Sequence, residues 1–364
     1  MTSFIPQMEP LITDADVTAV HDYMRSGGWL TEFEQTRRFE QQIASFTGAQ
    51  YCVATPSGTL ALFLALAACG IGRDDEVIVP DLTMAATATA VLLTGGKVVF
   101  ADIEPRTLCL DLGQAEQLIT SRTKAIVFVP LNGRSPSGLP DAVRQWQRRG
   151  IRVIEDAAQA LGSYVGGRHL GSLGDCGCLS FSSQKIITTG QGGAVITDRE
   201  HLHDTMRMVK DFGRREGGGD HYLRVGWNLK FTDLQAVVGL EQMRRLPAIV
   251  EHKRRLFAWY RELLDGVNEV VLPPTDLAHV TPWFVDLLVE SDVRDRLAEH
   301  LRRAGIGTRP SYPPLHAEPA FHTAGSFPVA EAVSRRMLWL PSSLRLARAD
   351  VARICTAIQA FYTS

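Results

Sequence analysis

Apolar residues in this chain come in short runs separated by polar, glycine-containing turns. Residues 51–54, 76–80, 98–101, 124–129 and 151–154 are compact, apolar and rich in β-branched side chains, and residues 194–197 repeat the pattern. Each run is too short for a buried helix and reads as a buried strand. Between them lie stretches with helical spacing or composition: 60–68, 85–93 and 139–149. Short apolar strands alternating with helices predict an α/β fold whose mostly parallel mixed sheet lies between helices. The pattern changes after about residue 200. Residues 212–220 are rich in glycine and charge and read as a mobile loop. A long helix is predicted over 232–250, leading to a smaller α+β C-terminal domain in which 283–289 reads as a strand and 351–361 as a closing helix. The expected division is a large domain with an N-terminal arm, 1–245, and a small domain, 246–364.

Composition narrows the classes of function. The 364 residues suit one large and one smaller domain with ample core. A formal net charge of -2 gives no electrostatic reason for a nucleic-acid or acidic-membrane partner. No apolar run is long enough to span a bilayer. The first residues lack a basic region followed by an apolar run, so a cytoplasmic protein is expected. Six cysteines are scattered. Cys176-Gly177-Cys178 has no second Cys/His cluster at zinc spacing, so no metal is expected.

Three runs carry candidate chemistry. Lys185 stands in Ser180-Phe181-Ser182-Ser183-Gln184-Lys185-Ile186-Ile187-Thr188-Thr189-Gly190, with hydroxyls and glycines but no charged neighbour. A lysine in such surroundings can lose its proton and act as an amine nucleophile, for example in a Schiff base with an aldehyde. It can equally belong to an ordinary glycine-rich turn. Asp156 follows the apolar Val153-Ile154, where open α/β sheets bind ligands beyond the strand ends. It either faces a cofactor there or caps a helix over 157–161. Ser57, Gly58 and Thr59 fall between a strand and a helix, where free N–H groups and the helix dipole favour an anion. Simple capping by Ser57 or Thr59 is the other reading.

Taken in order, these runs resemble the DegT/DnrJ/EryC1/StrS family of sugar aminotransferases, of the fold-type I architecture of aspartate aminotransferase. Ser57-Gly58-Thr59-Leu60-Ala61-Leu62, Glu155-Asp156-Ala157-Ala158-Gln159-Ala160 and the Lys185 run match its motifs. Gly226-Trp227-Asn228-Leu229-Lys230 and Tyr312-Pro313-Pro314-Leu315-His316 resemble its later ones. The resemblance implies pyridoxal 5'-phosphate, held by Lys185 as a Schiff base. Asp156 would keep the pyridine nitrogen protonated, with Gln159 against the cofactor and Ser57, Gly58, Thr59 and Ser180 at its phosphate. It implies an amino-acid donor, L-glutamate, and a keto-sugar acceptor such as a nucleotide-linked 4-keto-6-deoxyhexose, with Lys230, Tyr312 and His316 as substrate-binding residues. It also implies a homodimer with shared sites, Asn228 reaching the neighbouring subunit's phosphate; Asn228 bonding its own loop is the alternative. Three positions depart from the family. Met84 stands where an aromatic usually stacks on the cofactor, and packs there or in the core. Lys230 replaces an arginine. The run 130–135 lacks the common histidine, which would mark an unusual acceptor. A keto-cyclitol or 3-keto sugar acceptor, a sugar dehydratase and a non-catalytic regulator are the alternatives. A lysine where the related dehydratases carry histidine favours transamination over dehydration.

Overall fold

A computed structural model describes residues 4–215 and 219–363. Two helices, α1 (Asp14–Arg25) and α2 (Glu34–Thr47), precede the first strand. The alternating region then runs β1 (Tyr51–Thr55), α3 (Gly58–Ala68), β2 (Glu76–Pro80), α4 (Ala85–Thr94), β3 (Lys97–Ala101), α5 (Leu112–Gln117), β4 (Thr123–Phe128), α6 (Leu139–Arg148) and β5 (Arg152–Asp156). A small hairpin, β6 (Tyr164–Val165) and β7 (Arg168–His169), leads to β8 (Cys176–Ser180) and β9 (Gly193–Thr197). Helices α7 (Glu200–Lys210) and α8 (Asp233–Leu263) follow. The rest is β10 (Val285–Leu288), α9 (Arg294–Arg303), β11 (Arg309–Pro310), α10 (Pro328–Arg336), β12 (Met337–Leu340) and α11 (Arg348–Thr363).

The main sheet has seven strands in the order β1-β9-β8-β5-β4-β2-β3. Strands β3, β2, β4, β5 and β8 pair parallel, while β9 is antiparallel to both β8 and β1. Six strands therefore point one way and β9 the other, as expected of a mostly parallel mixed sheet. The reversal positions the chemistry. Ser180 pairs with Gly193, so residues 181–192, which carry Lys185, form a hairpin loop beyond the carboxyl end of β8. Asp156 ends β5, and Ser57 and Gly58 follow β1 at the same edge.

Local sequence explains the elements that were not predicted. Helix α1 starts with a capping box, in which Thr13 and Asp16 bond each other's backbone, and needs no apolar stripe to announce it. Cys176-Gly177-Cys178, read only for metal spacing, opens the buried strand β8. Among the described residues, no group of three or more His, Cys, Asp or Glu side chains is placed to hold a metal. Helix α8 is longer than predicted and continues through Pro247. Proline removes one helical hydrogen bond, but Met243, Leu246, Ile249, Leu256 and Phe257 bury the helix on both sides of it.

Two apolar cores form. One fills both faces of the main sheet. The other joins the three-stranded sheet β10-β12-β11 to α9, α11 and the second half of α8. The 245/246 division falls inside α8, which runs through both. Ile5 of the N-terminal arm bridges Ile306 and joins the second core. Arg214, in the loop at 212–220, bridges Tyr222 just beyond it, and residues 216–218 lie outside the described residues.

Candidate active site

A cavity of about 250 Å³ opens at the carboxyl edge of the sheet. It brings together nine of the residues singled out in the sequence: Ser57, Gly58, Thr59, Met84, Asp156, Gln159, Ser180, Lys185 and Tyr312.

One wall is the N-terminus of α3. The Ser57 hydroxyl caps that helix, accepting from the Leu60 N–H at 3.2 Å. Capping and lining the cavity are thus both true of Ser57. The Gly58 and Thr59 N–H groups precede the first helical bond and remain available to an anion. Position 58 requires glycine, because a Cβ there would lie 2.9 Å from Cβ of Ser180. The absent side chain lets the helix start approach Ser180.

Asp156 lies at the base, almost fully buried. It ends strand β5, and residues 157–161 form turns rather than a helix, so the helix-cap reading fails. Burial pushes its carboxyl up from the usual range, opposed by the Thr87 hydroxyl, the charge of Lys185 and the Ala158 N–H. Thr87 donates to Oδ2 at 2.7 Å and in turn lies 3.0 Å from the Thr83 hydroxyl. A buried carboxylate with so few donors is suited to a protonated ring nitrogen.

Lys185 faces Asp156 across the cavity. Its Nζ sits 3.9 Å from the ring centre of Trp283, whose indole N–H donates to the Gln184 carbonyl at 2.5 Å. Burial, reinforced by the nearby Arg309 charge and opposed by Asp156, lowers its pKa to about 8. The amine therefore loses its proton far more readily than a solvent lysine, as a nucleophile must. Gln159 is fixed from both ends: its Oε1 accepts from the Asn132 N–H at 2.9 Å, and its Nε2 donates to the Tyr312 hydroxyl at 3.4 Å. Met84 is 47% exposed and belongs to the cavity wall rather than the core.

Three expected site residues lie off the cavity. Asn228 is exposed, bridges Asp211 and accepts from the Lys230 N–H at 3.4 Å. Lys230 pairs with Asp211 at 2.6 Å. His316 is bound to Asp81 through its backbone N–H, 2.7 Å, and its Nδ1, 2.6 Å. The run 130–135 also turns away. Asn132 and Arg134 are buried against Asp286, with Asn132 Nδ2 at 2.5 Å and Arg134 Nη1 at 2.6 Å. Asn132 adopts a left-handed backbone, φ 49°, to make that contact. This departure from the family pattern joins the two cores and does not line the cavity. Sequence reasoning missed Trp283, Arg309 and Thr87. Thr87 had a signal, the i,i+4 spacing from Thr83 ahead of an apolar helix. Trp283 and Arg309 come from distant segments with no local motif.

The family model of the DegT/DnrJ/EryC1/StrS aminotransferase family matches residues 10–359. The chain belongs to this family. It is 38% identical over 327 residues to the GDP-perosamine synthase of Caulobacter vibrioides, covering 88% of each chain. It is also 38% identical to the UDP-N-acetyl-3-dehydro-alpha-D-glucosamine 3-aminotransferase of Acidithiobacillus ferrooxidans, covering 89% of this chain and 88% of that one. The solved aminotransferase TlmJ of Streptoalloteichus hindustanus superposes with a TM-score of 0.94 at 30% identity, over 99% of both chains. The protein is a pyridoxal phosphate-dependent aminotransferase of fold type I. Its cavity fits the cofactor on its own evidence: an amine, a buried carboxylate and a helix N-terminus surround one space.

Proposed function

We propose that this aminotransferase moves an amino group from L-glutamate to a nucleotide-linked keto sugar, a 4-keto-6-deoxyhexose. The observation that carries the reading is the convergence of Lys185, Asp156 and the α3 N-terminus on one cavity. Both curated relatives described above are named for nucleotide-linked sugars, which favours that acceptor class over a free keto-cyclitol. Bound pyridoxal phosphate supplies an electron sink for the carbon that loses its proton. The Gly58 and Thr59 N–H groups and the Ser57 and Ser180 hydroxyls would hold its phosphate. Asp156 would hold a proton at the ring nitrogen, Met84 would pack on one ring face, and Gln159 would fix the ring's orientation. Lys185 would attach the cofactor and, once released, carry a proton between donor carbon and cofactor. Tyr312 would meet the substrate from the cavity wall. Lys230 and His316, tied to Asp211 and Asp81, would touch it at the periphery. The test is a panel of nucleotide-linked 4-keto-6-deoxy and 3-keto sugars and a free keto-cyclitol, each with L-glutamate. Amination should be detected by mass for the 4-keto-6-deoxyhexose. Turnover confined to a 3-keto sugar or the cyclitol would overturn the acceptor assignment.

We also propose a homodimer with shared sites. Asn228 is exposed and outside its own cavity. Near it in sequence Tyr222, Val225 and Trp227 are exposed, and Trp29 and Leu30 add further uncovered apolar surface. In a symmetric pair Asn228 would reach the other subunit's phosphate site. Lys185→Ala and Asn228→Ala chains, each inactive or clearly impaired alone, should regain activity when exchanged into mixed dimers. One site then carries both defects and the other neither, giving up to about half the normal activity per mixed dimer for independent sites. If mixed dimers form and no activity returns, Asn228 does not act across subunits.

A further inference from the structure

Trp283 enters the cavity from just before β10 and is pinned at both its main chain and its ring. Its indole N–H donates to the Gln184 carbonyl at 2.5 Å, which fixes the peptide preceding Lys185. Its own carbonyl accepts from Nζ of the buried Lys253, on α8, at 2.6 Å. The following N–H, of Phe284, donates to Asn132 Oδ1 at 3.0 Å, and the Asn132 N–H in turn donates to Gln159. One face of the Trp283 ring stacks on Phe284, with centroids 3.8 Å apart and planes at 20°. Lys185 Nζ lies 3.9 Å from the centre of the same ring. Two groups so near cannot share a face, so the amine covers the other one.

Among the described residues, Lys185 Nζ has no hydrogen-bond or ion-pair partner. The charges that act on it are Asp156, which favours the ammonium, and Arg309, which disfavours it. An aromatic face attracts a cation and gives a neutral amine no comparable pull. Tryptophan does so most strongly, and the attraction grows where water is excluded. Trp283 is only 3% exposed, so that condition is met. The chemistry calls for such a surface. A lysine freed from the cofactor takes a proton from the donor carbon and gives it up again, so it passes through the ammonium form. It does so in a cavity whose burial disfavours that charge. A ring face offsets part of the cost without a directed hydrogen bond that must break before the amine can move. We propose that Trp283 is a positioning residue whose ring is the surface against which freed Lys185 rests as an ammonium during proton transfer. The inference rests on the reading of Lys185 as the residue that attaches the cofactor.

The test uses the full-length enzyme loaded with pyridoxamine phosphate, in which Lys185 is a free amine. Trace acetylation by acetic anhydride follows the neutral fraction of that amine at each pH, and peptide mass identifies Lys185. Two rings of nearly one shape are compared at position 283: Trp283→Phe, and a phenylalanine fluorinated on its ring, in which fluorine draws electron density from the π face. Both lack the indole N–H, so the difference between them belongs to the face alone. The face stabilises the charged form, so weakening it lowers the pH midpoint of labelling. The midpoint should fall in the order parent, Trp283→Phe, fluorinated ring, by about one pKa unit overall, a tenfold change in the ratio of ammonium to amine. With an amino donor that the parent accepts and no sugar present, kcat of the first half-reaction should fall in the same order, by up to about tenfold, while KM stays within about twofold. A side chain that only fills the wall would change melting and admit water to the amine, which raises the midpoint. A midpoint that stayed constant or rose from Trp283→Phe to the fluorinated ring would therefore overturn the proposal. So would a loss seen in KM alone. Borohydride treatment of the pyridoxal form checks the underlying reading separately. A label away from Lys185 would remove that lysine's role and the proposal with it, whereas a label on Lys185 with an unmoved midpoint would sink the Trp283 assignment alone.

Discussion

Lys185→Ala should fold normally, bind pyridoxal phosphate without covalent attachment, and lose transamination by at least about ten-thousandfold, the upper range for removing a positioned proton-transfer group. The expectation follows from position. Lys185 sits on the β8–β9 loop, its Nζ held over Trp283 and facing Asp156, and its pKa is lowered to about 8. Borohydride treatment of the parent should fix the cofactor on a peptide containing Lys185, and the variant should release it on denaturation. Lys210 is the instructive control. It is also buried, but its Nζ is committed to Glu32 at 2.8 Å and the Ala54 carbonyl at 2.7 Å. A label on Lys210 would refute the assignment. The lowered pKa adds a second readout. The reactive form is the neutral amine, whose fraction grows as pH rises through the pKa. Cofactor capture by the apoenzyme should therefore accelerate with pH and level off above about 8, not continue to rise toward 10.5 as for a solvent lysine. A rate still climbing through pH 9 to 10 would mean that the amine is not perturbed.

The sheet strands were legible because burial on both faces imposes continuous apolar runs, and β2 matches its expected bounds. The direction of β9 was not. An isolated run such as Ala194-Val195-Ile196-Thr197 looks alike parallel or antiparallel, and only the pairing of Ser180 with Gly193 decides it. That reversal is what turns residues 181–192 into the loop that carries Lys185. Residues whose function lies in their local backbone were also legible: Gly58 at a helix start and Asp156 at a strand end. Trp283 and Arg309 were not, since each comes to the cavity from a distant segment with no local motif. The same holds for the run 130–135. Its departure from the family pattern suggested a new acceptor, but Asn132 and Arg134 bond the buried Asp286 more than 150 residues away. No local pattern distinguishes a side chain that reads substrate from one that joins two cores.

Asp156→Asn should retain the fold and still bind cofactor, yet slow the half-reaction with glutamate by on the order of a thousandfold, roughly 4 kcal/mol in barrier. Asparagine keeps the shape and can still accept from Thr87, but it carries no charge to hold a proton on the ring nitrogen. The electron sink then weakens at the step in which the donor carbon loses its proton. Thr87→Val should have a smaller effect in the same direction, because it removes the hydroxyl that holds Oδ2 at 2.7 Å and leaves the carboxylate in place. Stability supplies an independent check. Burial raises the Asp156 carboxyl above its unfolded value. In the apoprotein, rising pH therefore ionises the unfolded chain first, and stability is lost between the unfolded and folded pKa values. Above the unfolded pKa, the burial of this carboxyl is a net cost to the apoprotein that asparagine removes. Apo Asp156→Asn should thus melt at or above the parent at neutral pH, and this advantage should vanish below the unfolded carboxylate pKa. A variant that kept its rate within tenfold would show that Asp156 does not serve the ring. A variant that melted well below the parent at neutral pH would show that the carboxylate is held for the fold.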